Sequence, residues 1–136
     1  MAIDVGDAST LTFGTQGGSY NVLTITGHEE SREPVDTTHL GTTTFMTSMP
    51  GDLAALSPWT VRFQYQGTQG VPTFAVAETI TVTHPTAAGD STPANIAGTA
   101  YVTRRKFPDL EVGVLQIGEV DIVYDGGTGP TVTAAT

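Results

Sequence analysis

Three histidines, His28, His39 and His84, are the side chains of this 136-residue chain whose ordinary titration falls near neutral pH. They stand far apart, and none is spaced like a zinc ligand. His39 follows Asp36 by three residues, with Ser31 and Ser48 nearby, which supplies the residue types of a Ser-His-Asp hydrolase. No nucleophile elbow or oxyanion-hole sequence accompanies them. His39 therefore reads as a hydrogen-bonding residue at a strand-to-loop junction. Glu29, Glu30, Glu33 and Asp36 offer carboxylates for a general acid/base pair, yet the same run serves as a solvated acidic face. Gly14-Thr15-Gln16-Gly17-Gly18 lacks the Gly-Lys-Ser/Thr ending of a phosphate loop and reads as a hairpin turn. Asp125-Gly126-Gly127-Thr128-Gly129 lacks the alternating carboxylates of a calcium loop. With no cysteine there is no disulfide, thiolate ligand or thiol nucleophile. These residues assemble no complete catalytic or metal-binding set. The expectation is a protein without an active site, metal or cofactor.

Charge narrows the partners. Fourteen acids face five bases, a formal net charge of −9, so the chain cannot build the broad basic face that grips nucleic acid. An acidic surface aids solubility, and it would also let DNA slide past without sticking. Arg104-Arg105-Lys106 concentrates three of the five positive charges. It reads as a solvated strand end or as a docking patch for Glu29, Glu30 or Glu33 of a neighbouring copy. Complementary patches on one chain suit head-to-tail association. The first residues lack the basic and apolar regions of a secretory signal. No apolar run approaches the length of a membrane span, so no membrane partner is expected.

The elements that must carry these residues are strands. Charged residues make up 14% of the chain, against about 25% in an ordinary globular protein. Thr and Gly fill the difference, and Thr is β-branched and favours strands. Trp59 to Gln66 alternates cleanly, with Trp59, Val61, Phe63 and Tyr65 on one face. Tyr20 to Gly27 alternates with Leu23 and Ile25 on one side. Phe74 to His84 predicts a strand with Phe74, Val76, Ile80 and Val82 on one face and Thr79, Thr81 and Thr83 on the other. Ala97 to Lys106 predicts another strand. Val112 to Tyr124 predicts a long strand that is apolar on both faces and so covered on both sides. Leu11 to Phe13 and Val35 to Thr38 are short strands. Pro93 to Ala97 holds a weak helical signal. Many short strands between turns mean a sandwich or barrel in a single domain over 1–136. Within it, residues 1–9 read as an N-terminal arm and 126–136 as a C-terminal tail.

The segment Pro34 to Leu56, PVDTTHLGTTTFMTSMPGDLAAL, fits neither core nor ordinary loop. It is polar overall yet carries Phe45, Met46, Met49, Leu53 and Leu56. Several large apolar groups on a surface segment mark a place where another chain docks. The order of residues resembles the tail tube proteins of long-tailed bacteriophages. The resemblance rests on Val35, Asp36, Thr38, His39 and Leu40, then a Thr-rich stretch, then Pro50-Gly51-Asp52-Leu53 before a strand opening at Trp59. Ala97-Gly98-Thr99-Ala100-Tyr101-Val102-Thr103 is similar to a strand of that family. Val120 to Thr131 is similar to its last strand and tail. The likeness runs from about Val22 onward, and the chain departs from the family in its lack of helix between Pro85 and Gly98.

The resemblance implies an all-β fold, a β-sandwich or half-barrel of the phage tail tube type with little helix. It implies rings of identical subunits, six to a ring, stacked into a tube that conducts DNA at infection. Self and other tail proteins are the implied partners. The implied location is the virion tail, after synthesis in the bacterial cytoplasm. Residues 41–58 become the long inter-ring loop, with Thr38, His39, Leu40, Phe45, Met46, Met49, Leu53 and Leu56 at the stacking contact. Two other readings stand beside it. One is a tail terminator, neck or head decoration protein. The other is a ligand-binding β-sandwich using Trp59 or Tyr101 as a stacking platform.

Overall fold

The computed structural model describes residues 9–38, 46, 48–51, 54–86, 89–127 and 129–136. Among them there are eleven strands and no helix: β1 (Thr10–Phe13), β2 (Ser19–Thr26), β3 (Glu30–Ser31), β4 (Pro34–Asp36), β5 (Ser48–Pro50), β6 (Ala55–Leu56), β7 (Trp59–Gln64), β8 (Glu78–Thr83), β9 (Asn95–Lys106), β10 (Ile117–Tyr124) and β11 (Thr131–Thr133). Six of them form one antiparallel sheet in the order β10-β7-β2-β1-β8-β9, and β9 pairs back onto β10. The sheet is therefore a closed barrel, and closure removes the exposed edges that invite aggregation. β9 is long enough to serve two partners on the same side. Its residues from Ala100 to Lys106 pair with β10, while Asn95 to Ala97 pair with β11.

The barrel is filled by one face of each strand. β10 alternates without a break, with Val120 and Ile122 fully buried between half-exposed neighbours. β7 does the same, burying Trp59, Val61 and Phe63 while Arg62 points out. Leu11, Phe13, Tyr20, Ile80, Val82, Ala100 and Val102 complete the interior. Each large side chain taken out of water contributes about 1.5–3 kcal/mol, so this filling is the main source of stability. Space inside is tight. Gly118 sits opposite Phe63 across β10 and β7, where an added Cβ would stand 2.6 Å from the Phe63 ring. A strand glycine here leaves room for an aromatic ring in a narrow barrel.

Several expectations are corrected. β2 begins with its predicted alternation but contains a register shift between Val22 and Thr24. The shift reverses parity, so Val22 and Ile25 pack on the core while Leu23 is exposed. The strand expected from Phe74 starts only at Glu78, and Phe74 and Val76 are exposed in the preceding loop. The strand expected from Val112 starts only at Ile117. Gly113 has φ of 78°, which ends extended pairing there, and Val114 N–H turns back to the carbonyl of Glu111. Val112, Val114 and Leu115 are thus exposed, and among the described residues no second layer buries the outer face of β10. The helical signal at Pro93 to Ala97 gives way to the start of β9.

Candidate assembly surfaces

Antiparallel closure sorts every connection to one of two ends. One end carries the 27–58 excursion between β2 and β7, residues 84–94, and the segment after β10 that includes β11. The other carries the 14–18 turn and the loops 65–77 and 107–116. We refer to them as the arm end and the loop end.

Within the 27–58 excursion, the described residues of 29–36 and 48–57 pair as a two-stranded ribbon. Ser57 N–H donates to the Glu29 carbonyl, Glu30 and Ser31 pair with Leu56 and Ala55, and Pro34, Val35 and Asp36 pair with Pro50, Met49 and Ser48. Between the two ladders Gly51 N–H donates to the Glu33 carbonyl at 3.0 Å. A Cβ at 51 would collide with that same carbonyl, so the Pro50-Gly51 step requires glycine. The strands β3, β4 and β5 are exposed along their whole length, and β6 is covered only at Leu56. The cross-strand pair Val35 and Met49 is about half exposed, and Met46 is 79% exposed. A lone two-stranded ribbon is marginal in water without a surface to pack on.

The ribbon is tied to the barrel at its root. His28, two residues after β2, packs beside two core aromatics that also stack on each other at 5.6 Å. Its ring stacks on Trp59 at 4.3 Å and on Tyr124 at 5.7 Å, and His28 Nε2 is 2.6 Å from the Tyr124 hydroxyl. Burial, and next the charge of His84, lowers the His28 pKa below its usual value. Burial pushes the Tyr124 phenol up to about 12. Leu56, on the returning strand, is half-buried and packs against the barrel core. Trp59 is 1% exposed, which removes it as a stacking platform for a sugar.

The predicted site residues fall as follows. Glu29, Glu30 and Glu33 lie on the exposed ribbon with Thr38, Met46 and Met49. His39, Leu40, Phe45 and Leu53 lie outside the described residues, as does the N-terminal arm up to residue 8. Arg104, Arg105 and Lys106 close β9 toward the loop end and have different surroundings. Arg104 bonds within its own chain to Glu119 at 2.6 Å and Asp121 at 2.7 Å. That contact holds the Asp121 carboxyl below its usual pKa, helped by a hydrogen bond from Thr60. Arg105 donates to the Val71 carbonyl and sets its guanidinium over the rings of Phe107 and Phe74. Sequence reasoning missed two features, the aromatic root around His28 and the apolar loop end. A signal for the second was present: Gly113 is a breaker inside the strand expected from Val112 and should have moved its start further along the chain.

Among the described residues no group of three or more His, Cys, Asp or Glu is placed to hold a metal. No helix there is long and apolar enough to cross a membrane. Glu78, the buried acid, is structural. Its Oε1 accepts from Thr15 and Gln16 N–H at 3.3 Å and anchors the 14–18 turn.

No protein-family model matches the sequence, and no curated protein is recognisably similar to it. Solved structures are similar in fold. The sheath/tube terminator of an extracellular contractile injection system (PVC), in its extended state, matches at TM-score 0.71 and 14% identity, over 98% of each chain. The PVC sheath-tube complex matches at TM-score 0.65 and 15% identity, over 97% of this chain and 91% of the other. The tube-terminating cap of the anti-feeding prophage matches at TM-score 0.66 and 12% identity, over 99% and 95%. The chain has the tail tube type of fold, all-β and barrel-centred, over essentially its full length.

Proposed function

We propose that this chain is a structural subunit of a tail tube, in which copies join into rings of six and the rings stack into a conduit. The observation that carries this is the ribbon of residues 27–58. It presents Val35, Met46 and Met49 to solvent and has little of its own barrel to rest on. Such an element is stable and useful when another copy receives it. The structure type of the fold relatives supports the same reading. With 14 acids against 5 bases, the conduit suits passage of DNA without binding, and other tail components are the further partners. The role needs neither active site nor cofactor. The place of action is the tail of a virion or tail-derived particle, after synthesis in the bacterial cytoplasm.

A second reading is a terminator or cap, which closes a tube with a single ring. The fold match to the PVC sheath/tube terminator favours it. Growth separates the two, because a tube subunit elongates and a terminator stops at one ring. Negative-stain imaging of the purified chain, seeded or at high concentration, tests both. Rings or tubes are expected, and a strict monomer overturns the proposal. Replacing Met46 and Met49 with Asp should abolish stacking and leave the barrel folded by circular dichroism. Undiminished polymerisation of that variant would remove the ribbon from the contact.

A further inference from the structure

The loop end carries its own unexplained apolar surface. Phe74 and Phe107 are each 62% exposed, Leu110 is 80% exposed, and Val112 is fully exposed. Val76, Val114 and Leu115 on the same two loops are more than half exposed as well. Among the described residues, seven of the thirteen exposed large apolar side chains thus gather on two loops, which distinguishes a patch from scattered surface carbons. The patch is also ordered from within. Arg105 lies 5.8 Å from the Phe74 ring centroid and 4.9 Å from that of Phe107, and its anchor on the Val71 carbonyl ties both loops together. A surface held by a bridging cation presents a fixed shape to a partner.

We propose that this loop end, centred on Phe74, Phe107, Leu110 and Val112, is the surface that receives the ribbon of a second copy stacked head to tail. The inference rests on the stacking reading above and names the partner surface that reading leaves open. Two observations choose a second copy as the occupant. First, the two apolar surfaces stand at opposite ends of one barrel, so joining them generates an open, repeating contact. Second, charge is unequal along the barrel. The ribbon bears Glu29, Glu30, Glu33 and Asp36 against Arg32 alone. The loop end is mixed: Arg62 and Lys106 line a groove with Val114 and Leu115, beside Asp109, Glu111 and Glu119. Two arm ends facing one another would set acid against acid, whereas an arm end on a loop end brings its acids to a groove where Arg62 and Lys106 offset part of the charge of Asp109, Glu111 and Glu119.

The chain lacks cysteine, so an engineered pair reports without background. The double variant Met49→Cys, Leu110→Cys, oxidised mildly under assembling conditions, should give a ladder of covalent multimers on a denaturing gel. Either single variant gives dimers at most. A second variant, Leu110→Asp with Val112→Asp, changes two exposed side chains and should keep the wild-type melting temperature. It should retain rings and lose filaments at least tenfold. Filaments that form without the cysteine ladder, or that persist undiminished in the aspartate variant, overturn this inference while leaving stacking in place. A wild-type chain that forms neither rings nor filaments overturns the stacking reading and this inference together.

Discussion

His28 packs against both the indole of Trp59 and the phenol of Tyr124 at the point where the ribbon leaves the barrel. The unfolded chain takes a proton on this residue at a pH of about 6.5. The folded chain takes it only at lower pH, because burial and then the His84 charge oppose it. Between those two values the unfolded state binds more protons, so stability rises with pH across that window. The contribution of the neutral ring is complete above about 6.5. It declines as pH falls toward the lowered folded value and is constant below it. Tyr124 stays neutral throughout, since its phenol titrates only near pH 12. His28→Phe keeps the ring stack and removes the titration. Melting temperature followed from pH 7 down to 5 should fall less in His28→Phe than in the wild type. Equal slopes in the two proteins would show that His28 is not the group responsible.

Gly51 governs an element rather than a contact. Its missing Cβ lets the 27–58 ribbon pass the Glu33 carbonyl. Gly51→Ala should distort the ribbon while leaving the barrel melting transition within about 0.5 kcal/mol of wild type, as expected of a change away from the core. Sedimentation should show loss of assembly, and assembly at wild-type level would show that the ribbon's path does not matter. The ribbon was hard to read from sequence for a physical reason. Its ladders are two or three residues long and have no buried face, so they leave no period of two. Only Phe45, Met46, Met49, Leu53 and Leu56, apolar in a polar run, pointed to its surface role. β7 was legible because Trp59, Val61 and Phe63 alternate against Thr60, Arg62 and Gln64 over a fully used strand. The same logic misled at Val112 and Phe74, whose apolar side chains extended the alternation of β10 and β8 into loops that lie outside the barrel. The loop-end patch is hidden in the sequence because Phe74, Val76, Val112, Val114 and Leu115 read as parts of strands.

At the level of the whole chain, the tube-type fold could be approached through motif order, but closure could not. Closure depends on β9 reaching both β8 and β10, a register property that pattern alone does not encode. It carries a consequence for the order of events. Among the described residues, fourteen buried apolar side chains form one core within the chain, so the barrel is expected to fold without a neighbour. Calorimetry across a hundredfold dilution should give one unchanged barrel transition, since only binding-linked stability depends on concentration. A transition that shifts downward on dilution would mean that the barrel and its neighbours fold as one. A subunit complete before it meets its kin can be made and stockpiled ahead of need. If the chain builds a tube as proposed, the length of that tube is set by when docking is licensed, with the supply of competent parts already secured.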